Sequence, residues 1–113
     1  MTKIEGDIII VYLNGRLDIH LSVDVENRLQ SIIKEEPEYH ILIDLSDVEY
    51  MSSSGIRLLV SILRTVESND RKLKLSNMNE SVKKIFEIVE LTSMFDIYNS
   101  EEEALKSFSN SIN

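Results

Sequence analysis

Ser52, Ser53, Ser54 and Gly55 stand in a row between two different apolar patterns. Before them, Ile41 to Leu45 has the length and bulk of a buried strand, and a polar turn leads from it to the serines. After them, Ile56, Leu59, Val60, Leu63 and Val66 recur at helical spacing. The hydroxyls therefore sit where a strand hands over to a helix. The first N–H groups of a helix have no partner inside it, and the helix dipole places partial positive charge there. An anion held at that point is stabilised. A serine in that place has two chemistries open to it. It caps the helix, or it becomes the anion by accepting a phosphoryl group, which adds about −1.5 to −2 charges at neutral pH.

Other chemistries find little support. A serine nucleophile needs a general base, and His20 and His40 carry no triad pattern. Neither histidine has a second histidine or a cysteine at metal-site spacing, and the chain has no cysteine for a thiolate site or a disulfide. A nucleotide hydrolase using the Ser52–Gly55 helix start is disfavoured, because no Gly-rich phosphate loop is present. The chain reads as the substrate of a kinase and not as an enzyme, with no catalytic residue, no metal and no cofactor of its own. The formal net charge of −8 argues against binding to nucleic acid phosphates. The acidity is uneven: Arg57, Arg64, Arg71, Lys72 and Lys74 cluster against only Glu67 and Asp70. No apolar run approaches the roughly 20 residues that span a bilayer, so no membrane insertion is expected. No signal-peptide pattern opens the chain, and a cytoplasmic location is expected.

The elements that position the serines follow from periodicity. Lys3–Glu5 and Ile8–Leu13 read as two strands turning at Gly6-Asp7, with Asn14-Gly15 ending the second. Ser22 is the expected N-cap of a first helix, with Asp24 and Glu26 in its first turn and Leu21, Val25, Leu29, Ile32 and Ile33 on its inner face. Pro37 closes that region. After the central strand and helix, Asn69-Asp70 is a stop. Lys72–Leu75 alternates polar and apolar, which predicts a strand with one wet face. Asn79 caps a third helix carrying Val82, Ile85, Phe86 and Val89 inward. Phe95–Tyr98 is a short strand, and Ser100 with Glu103 has capping-box spacing for a last helix bearing Leu105 and Phe108. Residues from Ser107 to Asn113 are expected to fray. The whole of 1–113 reads as one α/β domain, with a mixed, mostly parallel sheet and helices mainly on one face.

The run Asp44-Leu45-Ser46-Asp47-Val48-Glu49-Tyr50-Met51-Ser52-Ser53-Ser54-Gly55-Ile56 resembles the signature of STAS domains, above all the stand-alone bacterial anti-sigma factor antagonists. Gly15-Arg16-Leu17-Asp18 resembles a second element of that family. One position departs: Ser52 stands where the family usually has Asp. The resemblance implies a STAS fold and a phosphorylated serine directly before the glycine, here Ser54. It implies that the unphosphorylated form binds an anti-sigma factor with serine kinase activity and releases a sigma factor, and that a metal-dependent serine phosphatase reverses the modification. An alternative within the fold is an accessory subunit of a membrane transport complex or of a larger signalling assembly.

Function in parallel α/β folds gathers at the carboxyl ends of strands, so Asp18, Ser54 and Asn77 are expected to converge. Asp18 either positions the hydroxyl and contacts the partner, or is an ordinary loop cap. Asp44 and Ser46 are expected to satisfy loop backbone donors, and Met51 to pack. Gly55 suits a close approach of backbone or partner. Leu58 and Ile62 have two readings, outer core or apolar docking patch. Asp18, Ser52, Ser53, Gly55, Ile56, Leu58 and Asn77 form the candidate partner surface.

Overall fold

The computed structural model describes residues 1–112, so Asn113 lies outside the described residues. Two strands, β1 (Thr2–Glu5) and β2 (Ile8–Leu17), form the antiparallel hairpin read at Gly6-Asp7. From β2 the chain alternates: α1 (Ile19–Glu35), β3 (His40–Met51), α2 (Ser53–Ser68), β4 (Leu73–Ser76), α3 (Glu80–Ile88), β5 (Asp96–Tyr98) and α4 (Glu101–Ile112). The strands lie in chain order, and every pairing after the hairpin is parallel. This is the expected mixed sheet with β3 at its centre.

The pleat sends alternate residues to opposite faces. Ile9, Val11, Ile41, Ile43, Leu45, Leu73 and Leu75 join the larger core with side chains of α1, α2 and α3, including Leu29, Ile33, Leu59, Ile62, Val82 and Phe86. Ile8, Ile10 and Leu42 point the other way and are covered by Ala104 and Phe108 of α4. The three crossover helices thus share one face, as expected, and α4 takes the other.

Several local expectations are corrected. The face of β4 predicted to be wet is dry: Lys74 is 1% exposed. Its ammonium donates to Ser107 Oγ at 3.0 Å and lies 5.0 Å from the Phe108 ring, because α4 roofs that face. The residues from Ser107 do not fray at once, since α4 continues to Ile112 with Phe108 buried. The first helix begins earlier than read: Asp18 is its N-cap and Ser22 is buried inside it, donating to the Asp18 carbonyl at 2.6 Å. Asp24 and Glu26 therefore fall beyond the first turn, and Leu21 is exposed, not inward. Val89 is the C-cap of α3 and exposed. Finally, β2 runs through Asn14-Gly15 to Leu17, and β3 runs on from Leu45 to Met51.

That last extension shapes the site. Pairing between β3 and β4 stops at Asp44–Ser76, while Asp47–Met51 pair with Asn14–Leu17 of β2 alone. Two register shifts mark this ribbon, and Gly15 takes φ +84° beside one of them. A glycine that reads as a turn is here an irregularity inside a strand. Arg16 stacks its guanidinium 4.5 Å over the ring of its cross-strand partner Tyr50, a cation–π contact across the ribbon.

Candidate functional site

The ribbon ends where α2 begins, and one backbone carbonyl holds the junction together. Ser52 donates to the Leu17 carbonyl twice, from its N–H and from Oγ, each at 3.0 Å. The same Oγ accepts the Ser54 N–H at 3.2 Å, so Ser52 is the N-cap of α2. Its hydroxyl is committed on both sides. Gly55 is packed against the same point: a Cβ there would lie 2.6 Å from Met51 Cγ and 3.0 Å from the Leu17 carbonyl oxygen. Met51 is fully buried, as expected for a packing residue.

Asp18 directly follows Leu17, so the starts of α1 and α2 lie side by side. Its Oδ1 accepts the N–H groups of His20 at 3.0 Å and Leu21 at 3.2 Å, which is the ordinary cap of the two readings. Ser53 is exposed and Ser54 half-buried in the first turn of α2. Among the described residues the Ser54 hydroxyl has no hydrogen-bond partner. No acidic residue stands in the first turn of α2, so its partial positive charge is not offset locally.

The third loop is attached differently. Asn79 caps α3 by accepting the Val82 N–H at 2.8 Å, and its amide donates to the Val48 carbonyl at 3.0 Å, tying the loop to the β3 overhang. Asn77 holds φ +64°, an αL conformation that asparagine tolerates. Its N–H donates to the Tyr98 carbonyl at 3.1 Å, and its Oδ1 is buried without a partner. No hydrogen bond joins it to Asp18 or Ser54 among the described residues. Asp18 and Ser54 are thus neighbours through Leu17, and Asn77 belongs to the next loop.

The apolar members of the candidate surface turn inward. Ile56 and Leu58 are 4% and 2% exposed, and Ile62 is fully buried. For Leu58 and Ile62 this is the core alternative. Asp44 accepts the Ser46 N–H at 2.8 Å, the expected local role. It also lies beside Glu101, which accepts the Tyr12 hydroxyl at 2.9 Å. Burial and the neighbouring Asp44 carboxyl raise Glu101 above the ordinary glutamate range, against the pull of Tyr12 and Lys3. Burial, with the bond to Glu101, pushes Tyr12 up to about 12. Sequence reading missed Leu17, whose part is played by a backbone carbonyl that no residue type announces. It also missed the Glu101 contact, which joins positions far apart in the chain.

No helix among the described residues is long and apolar enough to cross a membrane, and no group of three or more His, Cys, Asp or Glu among them is arranged to hold a metal ion. The chain is 26% identical over 92 residues to the anti-sigma-B factor antagonist of Staphylococcus epidermidis, covering 81% of this chain and 84% of that protein. It is 26% identical over 98 residues to the anti-sigma F factor antagonist of Paenibacillus polymyxa, covering 87% and 84%. In fold it is similar to the anti-sigma factor antagonist SpoIIAA in its unphosphorylated form, with a TM-score of 0.81 at 22% identity over 97% of this chain and 96% of that one. The Bacillus protein in its phosphorylated form gives a TM-score of 0.71 at 21% identity, over 96% and 97%. The family model of the STAS domain matches residues 1–104, and with the five-stranded sheet and its three one-sided crossover helices it shows that this chain belongs to the STAS domain family.

Proposed function

We propose that this chain is an anti-sigma factor antagonist switched by phosphorylation at Ser54. In its unphosphorylated form it binds an anti-sigma factor with serine kinase activity, and a sigma factor is released. The kinase transfers the terminal phosphoryl group of ATP to Ser54 Oγ: the bond to the ADP oxygen breaks, the bond to Oγ forms, and the hydroxyl proton passes to the kinase. A metal-dependent serine phosphatase hydrolyses the ester and restores the binding form. The chain supplies the acceptor and the docking surface and performs no catalysis, and such partners place it in the cytoplasm.

The observation that carries this reading is the difference between the committed Ser52 hydroxyl and that of Ser54. Ser52 Oγ is held by Leu17 and Ser54, whereas the Ser54 hydroxyl is half-buried, unpartnered among the described residues, and one position before Gly55. Ser53 is more exposed than Ser54, and only the family resemblance favours Ser54 over it. A phosphate on Ser54 sits at the positive end of α2, so the fold tolerates it. A docked protein meets a bulky dianion at its contact surface, which is a local charge change with a binding readout.

The expected result is that Ser54→Ala keeps partner binding and blocks the switch, while Ser54→Asp weakens binding as a partial mimic of the phosphate. Equal affinities of wild type and both variants for the anti-sigma factor would refute the switch. Phosphopeptide mapping after reaction with the kinase and ATP should place the phosphate on Ser54. Full modification of Ser52 or Ser53 persisting in Ser54→Ala would move the switch to another hydroxyl.

A further inference from the structure

One face of α2 presents a feature that the phosphoacceptor does not use. Arg57 and Arg64 are seven residues apart, so their side chains leave the helix on the same side, about 10 Å apart along the axis. Both are exposed, and among the described residues neither has an ion-pair partner. Between them lies an open groove of about 510 Å³, floored by Ile56, Val60 and Leu91, with Ser61 and Thr65 along its other edge. Those two hydroxyls are already engaged: Ser61 donates to Glu26 at 2.7 Å, and Thr65 accepts from Gln30 at 3.2 Å. Of the side chains that line the groove, the two guanidiniums are the charged ones, with the Glu26 carboxylate just beyond Ser61 on the far edge. Close to Leu91 in the chain, Ile88, Val89 and Met94 are exposed at 74%, 40% and 44%.

We propose that this groove docks an acidic segment of the anti-sigma factor, one that places carboxylates against Arg57 and Arg64 and an apolar side chain between them on Val60 and Leu91. The inference rests on the function proposed above, and it adds a second contact along α2 from Ser54. Charge complementarity selects the occupant. In a chain of net charge −8, a groove with two guanidiniums on its rim, unpaired among the described residues, attracts carboxylates. A second copy of this chain brings another −8 and is repelled over the rest of its surface. Arginine also suits planar carboxylates in bidentate pairs, which fixes the register of the docked segment.

The test uses the full-length chain and the anti-sigma factor whose binding depends on Ser54. Arg64 lies about 15 Å along the helix from Ser54, so its replacement leaves the acceptor turn intact. Arg64→Glu, with its fold checked by circular dichroism, should raise Kd about tenfold or more, chiefly through faster dissociation. Replacing one facing carboxylate of the partner with Lys should restore binding to Arg64→Glu. Methyl NMR signals of Val60 and Leu91 should shift in the complex. Three results overturn the groove as the docking site while Ser54→Asp still weakens binding. They are binding of Arg64→Glu within about twofold of wild type, a loss confined to the association rate and abolished by salt, and self-association of this chain that Arg64→Glu removes. If Ser54→Asp has no effect either, the failure belongs to the switch and not to the groove.

Discussion

At Gly55 the missing side chain is a packing requirement. Its φ is unremarkable, but the space a Cβ would fill is held by Met51 and the Leu17 carbonyl. Neither can move cheaply, since Met51 is fully buried and the carbonyl is anchored by Ser52. Gly55→Ala should therefore destabilise the fold by about 1–3 kcal/mol, measured by urea denaturation, through overpacking. A stability within a few tenths of wild type would show that the junction is looser than its distances imply. Gly55 was legible as a point of close approach because it follows three serines at a helix start. What approaches it was not legible, since a carbonyl leaves no mark in residue type. The same holds for Ser52, whose hydroxyl caps α2 and also donates back to Leu17. An aspartate in its place could accept but not donate when ionised.

Among the elements, α4 departs most from expectation, and a group of polar residues fixes its first turn. Glu101 accepts from Tyr12 on β2 and lies beside Asp44 on β3, so two carboxyl groups meet at the edge of the second core. A glutamate raised above its ordinary value in the folded state is better accommodated protonated. Its stabilising contribution is complete below the ordinary value of 4.5 and is lost as the pH rises through the raised one. Glu101→Gln keeps an acceptor for Tyr12 and removes the charge. This variant should therefore melt higher than wild type at pH 7, with the advantage shrinking as the pH falls towards 4.5. A lower melting temperature at both pH values would mean that the ionised carboxylate is what the site requires. Periodicity located α4 and its cap, since the Glu103 N–H donates to Ser100 Oγ at 3.1 Å. It could not say which face α4 covers, because Lys74 in β4 reads as wet and is in fact roofed. The overhang of β3 was misread for a related reason. Only Val48 and Met51 among its last six residues are buried, so a half-wet strand looked like a polar turn.

For the molecule as a whole, chain order and strand order coincide, so the architecture follows from the alternation of elements with little else to decide. The two cores, however, are unequal. The larger is shared by three helices, whereas the smaller depends on α4, through Ala104 and Phe108 against Ile8, Ile10 and Leu42. A chain stopped after Asn99 should lose its sharp thermal transition, bind a hydrophobic dye and elute as aggregate in size-exclusion chromatography. An undiminished, monomeric transition would show that the larger core suffices. The same arrangement has a meaning in time. On the ribosome, at about 5–20 residues per second, the strands bearing Ile8, Ile10 and Leu42 emerge several seconds before the helix that shields them. During that interval the larger core can assemble while the opposite side of the sheet stays greasy and open, and the nascent chain is a client for whatever chaperone reaches it first.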